Sequence, residues 1–192
     1  MDDVINIRPR KRLEVRAEKI RGMAAQYGRT ALVLQGGGAL GAYQAGVYHA
    51  LSEAGIEPDW LSGVSIGAVN AALIAGNRPE NRLEKLREFW NTVSGRKIWA
   101  YTPEGDWFRM LRNQTSAWMT MTSGQPGFFE PRRPGPWFHP VGSEAATSYY
   151  STDPLRETLT RLIDFDLLNE GPNHLSVGAV NARKGYDTLV AA

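Results

Sequence analysis

A serine with a glycine two residues away on each side, Gly63-Val64-Ser65-Ile66-Gly67, is the stretch of this chain best suited to covalent chemistry. A serine hydroxyl is a weak nucleophile at neutral pH. It needs exposure, a base, and donors for the negative charge that develops on an attacked carbonyl oxygen. Gly63 and Gly67 lack the Cβ atoms that would clash in a tight strand-to-helix turn, and such a turn lifts the hydroxyl out of the fold. A helix starting at Ile66 directs its positive end, and the Ile66 amide, at the reacting centre. The chemistry this pattern spells is attack on a carboxylic ester.

Upstream, an apolar run, Ala31 to Leu34, enters Gln35-Gly36-Gly37-Gly38-Ala39-Leu40-Gly41. A strand ending in successive glycines presents several unhindered backbone amides to one negative oxygen, so Gly36, Gly37 and Gly38 are candidates for an oxyanion cradle. Gly36, Gly38 and Gly41 also spell the GxGxxG of a dinucleotide-binding turn. That reading needs an acid at the end of the next strand. Asp59 stands at the beginning of it and Ser65 at its end, which leaves nucleotide binding as the alternative.

These residues need a scaffold of alternating strands and helices. The pattern predicts a buried strand over Thr30 to Leu34, then a helix carrying Tyr43, Val47, Tyr48 and Leu51 on one face. A second strand from Ile56 to Val64 feeds Ser65, and a helix follows from Ile66 to Ala75. Asn81 to Val93 reads as a helix burying Leu83, Leu86, Phe89, Trp90 and Val93. Asp153 reads as an N-cap with Pro154 at the first helical position, opening a helix with a stripe of Leu155, Leu159, Leu162 and Ile163. Leu175 to Val180 reads as a buried strand, turned by 182–185 toward Tyr186 to Val190.

Composition narrows the function classes. At 192 residues and 42% apolar content the chain fits one well-buried core, with a basic arm over residues 1–29 and a single domain over 30–192. The first 30 residues hold eight of the 22 basic side chains against four of the 20 acidic ones. Glu14 and Glu18 interrupt that basic run, so it reads as a solvated leader, and no nucleic-acid partner is expected. No secretory h-region follows the first basic residues, and no run of about 18 apolar residues occurs. A cytoplasmic or membrane-peripheral protein is expected. The lack of cysteine excludes thiolate catalysis and disulfides, and three scattered histidines, His49, His139 and His174, argue against a metal site. No cofactor is needed for serine ester chemistry.

The base is the harder element to find. His139 lies in a proline-rich loop and His174 before a strand, and neither has an acid in a triad context. Taken together, QGGGALGAYQAG and GVSIGAVNAA resemble the patatin-like phospholipases, lipid acyl hydrolases that use a Ser-Asp dyad without histidine. The resemblance runs from about Thr30 to the C-terminus. It implies a three-layer α/β fold with a mainly parallel sheet between helices, Ser65 as nucleophile, and Gly36 to Gly38 with Ile66 as the oxyanion hole. Gln35 stands where many plant members carry aspartate, and Leu40 where many relatives carry a basic residue.

The family's dyad aspartate sits in an Asp-Gly-Gly or Asp-Gly-Ala motif, which none of Asp106, Asp153, Asp164, Asp166 and Asp187 provides. The expectation is therefore a chain incomplete at its C-terminus, a lipid acyl hydrolase by lineage. A remnant that kept the fold as a binding protein without turnover is the further alternative. Between about 98 and 140 the texture changes, with six of the eleven prolines and four of the six tryptophans. Trp99, Trp107, Trp118, Phe128, Phe129, Trp137 and their neighbours suit ordinary core filling under a long loop, or else an acyl pocket or a patch touching a lipid surface.

Overall fold

The computed structural model of the chain describes residues 18–23, 26–94, 124–181 and 186–191. The chain divides into two compact units, residues 1–83 with 166–192, and residues 84–165. The first unit begins with β1 (Ala31–Leu34), α1 (Gly41–Glu53), β2 (Trp60–Val64), α2 (Ile66–Ala75) and the opening of α3 (Pro79–Val93). The second holds the rest of α3, a short ladder of β3 (Glu130–Pro131) with β4 (Tyr150–Ser151), and α4 (Asp153–Leu162). After α5 (Phe165–Glu170), β5 (His174–Asn181) and β6 (Tyr186–Ala191) complete the first unit.

Four strands form one sheet in the order β1-β2-β5-β6. The first three run parallel and β6 pairs antiparallel to β5. Leu34 pairs with Gly63, and Val64 with Gly178, so β1 and β2 end at the same edge of the sheet. Both chemistry-bearing loops leave from that edge. The chain is thus an α/β protein with a mainly parallel sheet.

The alternation of the strands decides which side chains enter the core. Leu34, Leu61 and Leu175 share one face and are buried, and α2 packs on it. α2 is apolar nearly all round, which suits a helix buried against both the sheet and α1. Fully burying one leucine or isoleucine contributes about 1.5–3 kcal/mol, and Leu61, Leu73 and Ile74 are almost completely enclosed. On the opposite face Val33, Val64 and Val180 are exposed. β1 is therefore an edge strand that buries Leu34 alone, rather than the wholly buried strand its apolar run suggests.

Other boundaries shift for local reasons. β2 starts at Trp60 instead of Ile56, because Gly55 turns at φ +69° and Pro58 has no amide to give to a ladder. α3 starts at Pro79, where a missing amide costs a first turn nothing. α4 has Thr152 as its N-cap, so Asp153 is already helical and its carboxylate accepts from Ser151 Oγ at 2.5 Å.

In the second unit, Leu86, Phe89 and Val93 of α3 are buried, as are Thr158 and Leu162 of α4. Gln125 Nε2 donates to the Val93 carbonyl, and Thr158 Oγ1 to the Gly127 carbonyl at 3.0 Å. Residues 98–123 of the aromatic segment, the basic arm up to 17 and the turn at 182–185 lie outside the described residues. Of the described aromatics, Phe129 packs edge-on to Tyr150 at 5.0 Å, while Trp137 and Phe138 are exposed.

Candidate active site

Ser65 is the single residue between the end of β2 and the start of α2, with φ 55° and ψ −127°. It is the one non-glycine residue with positive φ among the described residues. Such a conformation costs about 1–3 kcal/mol and persists only where the surroundings over-determine it. Two glycines supply that constraint. A Cβ on Gly63 would lie 2.4 Å from the Gly67 carbonyl carbon, and one on Gly67 would lie 2.2 Å from the Leu34 carbonyl oxygen. The first turn of α2 thus presses directly on the backbones of β2 and β1, and the chain must turn sharply at Ser65.

The glycine loop passes beside it. A Cβ on Gly36 would stand 3.3 Å from Ser65 Cβ and 4.0 Å from its Oγ, so backbone and serine side chain meet with nothing between. Gly38 takes φ +55° and opens a 3-10 turn to Leu40, closed by Leu40 N–H donating to the Gly37 carbonyl at 3.1 Å. Among the described residues no backbone carbonyl accepts from the amides of Gly37, Gly38 or Ile66. The first amides of a helix lack intrahelical partners, and that of Ile66 opens α2 directly after Ser65.

Two side chains brace the loop that sequence reasoning passed over. Asn70, fully buried, donates through Nδ2 to the Gly41 carbonyl at 2.9 Å and to Gln44 Oε1 at 3.0 Å. Gln44 Nε2 in turn donates to the Gln35 carbonyl at 2.7 Å. The available signal was compositional: Asn70 is the one polar side chain in the otherwise apolar IGAVNAALIA of α2. A buried amide in such a helix must have partners.

Asp59 and His174 stand where the strands begin. Asp59 accepts the Thr30 amide at 2.9 Å through its carboxylate. That places it where β1 and β2 begin, at the opposite end of the sheet from the glycines, and an acid serving a nucleotide ribose would stand at the strand's other end. His174 opens β5 with its ring edge-on to Trp60 at 6.3 Å, and His139 Nε2 lies 3.1 Å from the Pro134 carbonyl. Asp153 is held by Ser151, Asp164 and Asp166 are exposed, and Asp106 lies outside the described residues. The backbone of Asp187 pairs with Val180. Among the described residues no cluster of three or more histidine, aspartate or glutamate side chains could hold a metal ion, and no helix is long and apolar enough to cross a membrane.

A family model described as patatin-like phospholipase matches residues 32–190. A patatin-like phospholipase domain-containing protein of Neurospora crassa is 41% identical over 80 residues, 42% of this chain and 9% of that protein. One from Pyricularia oryzae is 42% identical over 74 residues, covering 38% of this chain and 9% of its own length. Patatin-like phospholipase domain-containing protein 7 of Rattus norvegicus is 45% identical over 60 residues, 31% of this chain and 4% of its own. The matches span a tenth or less of these relatives. No solved structure matches the chain.

Proposed function

The chain belongs to the patatin-like phospholipase family, and we propose that it serves a serine-dependent lipid acyl hydrolase with Ser65 as the nucleophile. The observation that carries this reading is the strained turn at Ser65 with the Gly36 backbone against its side chain. In the proposed reaction Ser65 Oγ attacks the carbonyl carbon of a carboxylic ester and its proton passes to a base. The carbonyl oxygen becomes an oxyanion, held by amides drawn from Gly36, Gly37, Gly38 and Ile66. Collapse expels the alcohol and leaves an acyl-serine, which water then hydrolyses. One such donor is worth about 3–4 kcal/mol of transition-state stabilisation. Exposed Leu40 and Tyr43 beside the glycine loop support approach to a lipid surface.

The base in this scheme is an aspartate of the Asp-Gly-Gly or Asp-Gly-Ala type, a motif found nowhere in these 192 residues. General-base assistance is worth about 100- to 10,000-fold, so turnover by this chain alone is expected to be weak. The same lack favours a second reading, a patatin-like fold that binds without turning over. A fluorophosphonate probe separates the two. Labelling of the wild type and not of Ser65→Ala supports the nucleophile, whereas no labelling of a folded sample supports the binding protein. Robust hydrolysis of a p-nitrophenyl ester by this chain, lost in Ser65→Ala, would overturn the expectation of weak turnover.

A further inference from the structure

Asn70 is enclosed in the apolar surface of α2 five residues after Ser65, and its amide crosses to α1 and the glycine loop. The direction of this relay is set by its two ends. The carbonyls of Gly41 and Gln35 only accept, so Asn70 must present its NH2 group and Gln44 its carbonyl oxygen to one another, and Gln44 its NH2 group to Gln35. The two anchored carbonyls flank the loop on either side, at Gln35 before Gly36 and at Gly41 after Leu40. Glycines give that loop little rigidity of their own, since they carry no side chain to pack and tolerate most backbone angles.

We infer that Asn70 and Gln44 are positioning residues that hold the Gly36–Leu40 loop against Ser65, coupling the placement of the oxyanion donors to the helix that carries the nucleophile. The inference rests on the proposed pairing of Ser65 with the glycine loop. Its logic is that a donor aimed at a developing charge is effective only within a few tenths of an ångström, so an otherwise free loop needs pins from a rigid element. α2 is that element. Its buried apolar surface fixes Asn70, and the same helix opens directly after Ser65, so one rigid body sets both halves of the device.

The test uses donors removed without loss of shape: Gln44→Glu, Gln44→Met and Asn70→Asp, each checked for folding by circular dichroism. Inactivation by a fluorophosphonate is followed as maximal rate against half-saturating concentration. The expected result is a fall of ten-fold or more in the maximal rate, with the half-saturating concentration within two-fold of wild type. Mere destabilisation would lower the folded fraction and leave the rate of the folded molecules alone. Folded variants inactivated at the wild-type rate would overturn the inference. Gln44 is only half-buried, so its variants answer the question if Asn70→Asp does not fold.

Amide hydrogen exchange gives a second reading that needs no reactive serine. Exchange at Leu40 and Gly41, whose amides donate to the Gly37 and Gly38 carbonyls, is expected to quicken at least ten-fold in Gln44→Met while β2 and β5 keep their protection, and unchanged exchange there would sink the idea. A wild type that takes no probe would refute the proposed nucleophile, and the exchange experiment would still decide whether the relay holds the loop.

Discussion

The two ends of the parallel sheet are built on opposite principles. Where β1 and β2 finish, the chain carries a strained serine, successive glycines and amides without carbonyl partners among the described residues. Where they begin, polar side chains are matched to one another and to the backbone. The Asp59 carboxylate accepts from the Thr30 amide. Tyr48 Oη and Arg82 Nη1 both donate to Glu57 Oε2 at 2.7 Å, and Arg82 Nη2 donates to Asn173 Oδ1 at 2.7 Å. Asn173 then donates to the Pro58 carbonyl. The first end holds unspent donors at a cost in stability, and the second is a satisfied network that ties α1, α3 and the approach to β5 together. Reactivity and stability are separated along the strands.

The sharpest way to break this contrast is to deform the reactive end. In Gly67→Ala the new methyl would meet the Leu34 carbonyl oxygen, backbone against backbone, and neither can swing away. A loss of about 3 kcal/mol or more is expected in urea unfolding, with no probe uptake by the residual folded protein. At the other end Arg82→Ala should cost a similar amount, about 3 kcal/mol. The Arg82 side chain is 4% exposed and its removal strips partners from Glu57 and Asn173 together. The difference lies in reactivity: folded Arg82→Ala should still be labelled at Ser65 as wild type is. Loss of labelling in the folded variant would show that the two ends are coupled.

A smaller effect comes from Tyr48. Burial, reinforced by the hydrogen bond to Glu57, pushes its hydroxyl up to about 12 from the usual 10. The folded state therefore favours the neutral phenol. That contribution is complete below pH 10 and is lost as pH rises from 10 through 12. Two pH units correspond to about 2–3 kcal/mol, which should appear as a fall in the urea midpoint across that window. Tyr48→Phe has nothing to ionise and should lack this limb, though it is less stable at neutral pH for want of the Glu57 bond. An unaltered alkaline limb in Tyr48→Phe would assign it to another group.

The reactive end was the more legible of the two in sequence. Gly63, Ser65 and Gly67 announce themselves because their types and spacing are dictated by backbone geometry, which is local. α2 falls at Ile66–Ala75 as its pattern suggests, since a 10-residue alanine-rich apolar run after a turn is longer than an ordinary buried strand. The satisfied end was not legible, because Arg82 lies 25 residues from Glu57 and 91 from Asn173, and they meet only once the sheet has formed. The same distance hid the bond between Asn70 and Gln44. β1 misled for a related reason. Its apolar run describes the strand alone, and whether Val33 is covered depends on what packs on that face.

The least of the expected effects probes the strain itself. Ser65→Gly and Ser65→Ala both remove the hydroxyl and should both abolish labelling, but they should differ in stability. Alanine keeps the Cβ that makes φ 55° unfavourable, whereas glycine accepts that angle freely. Relief of about 1–3 kcal/mol is offset in part by the added freedom glycine gives the unfolded chain, about 0.5–1 kcal/mol. The net expectation is that Ser65→Gly unfolds later than Ser65→Ala by about 1 kcal/mol. If the two unfold together, the turn at Ser65 carries no strain, and the contrast between a strained end and a satisfied one reduces to hydrogen bonding alone.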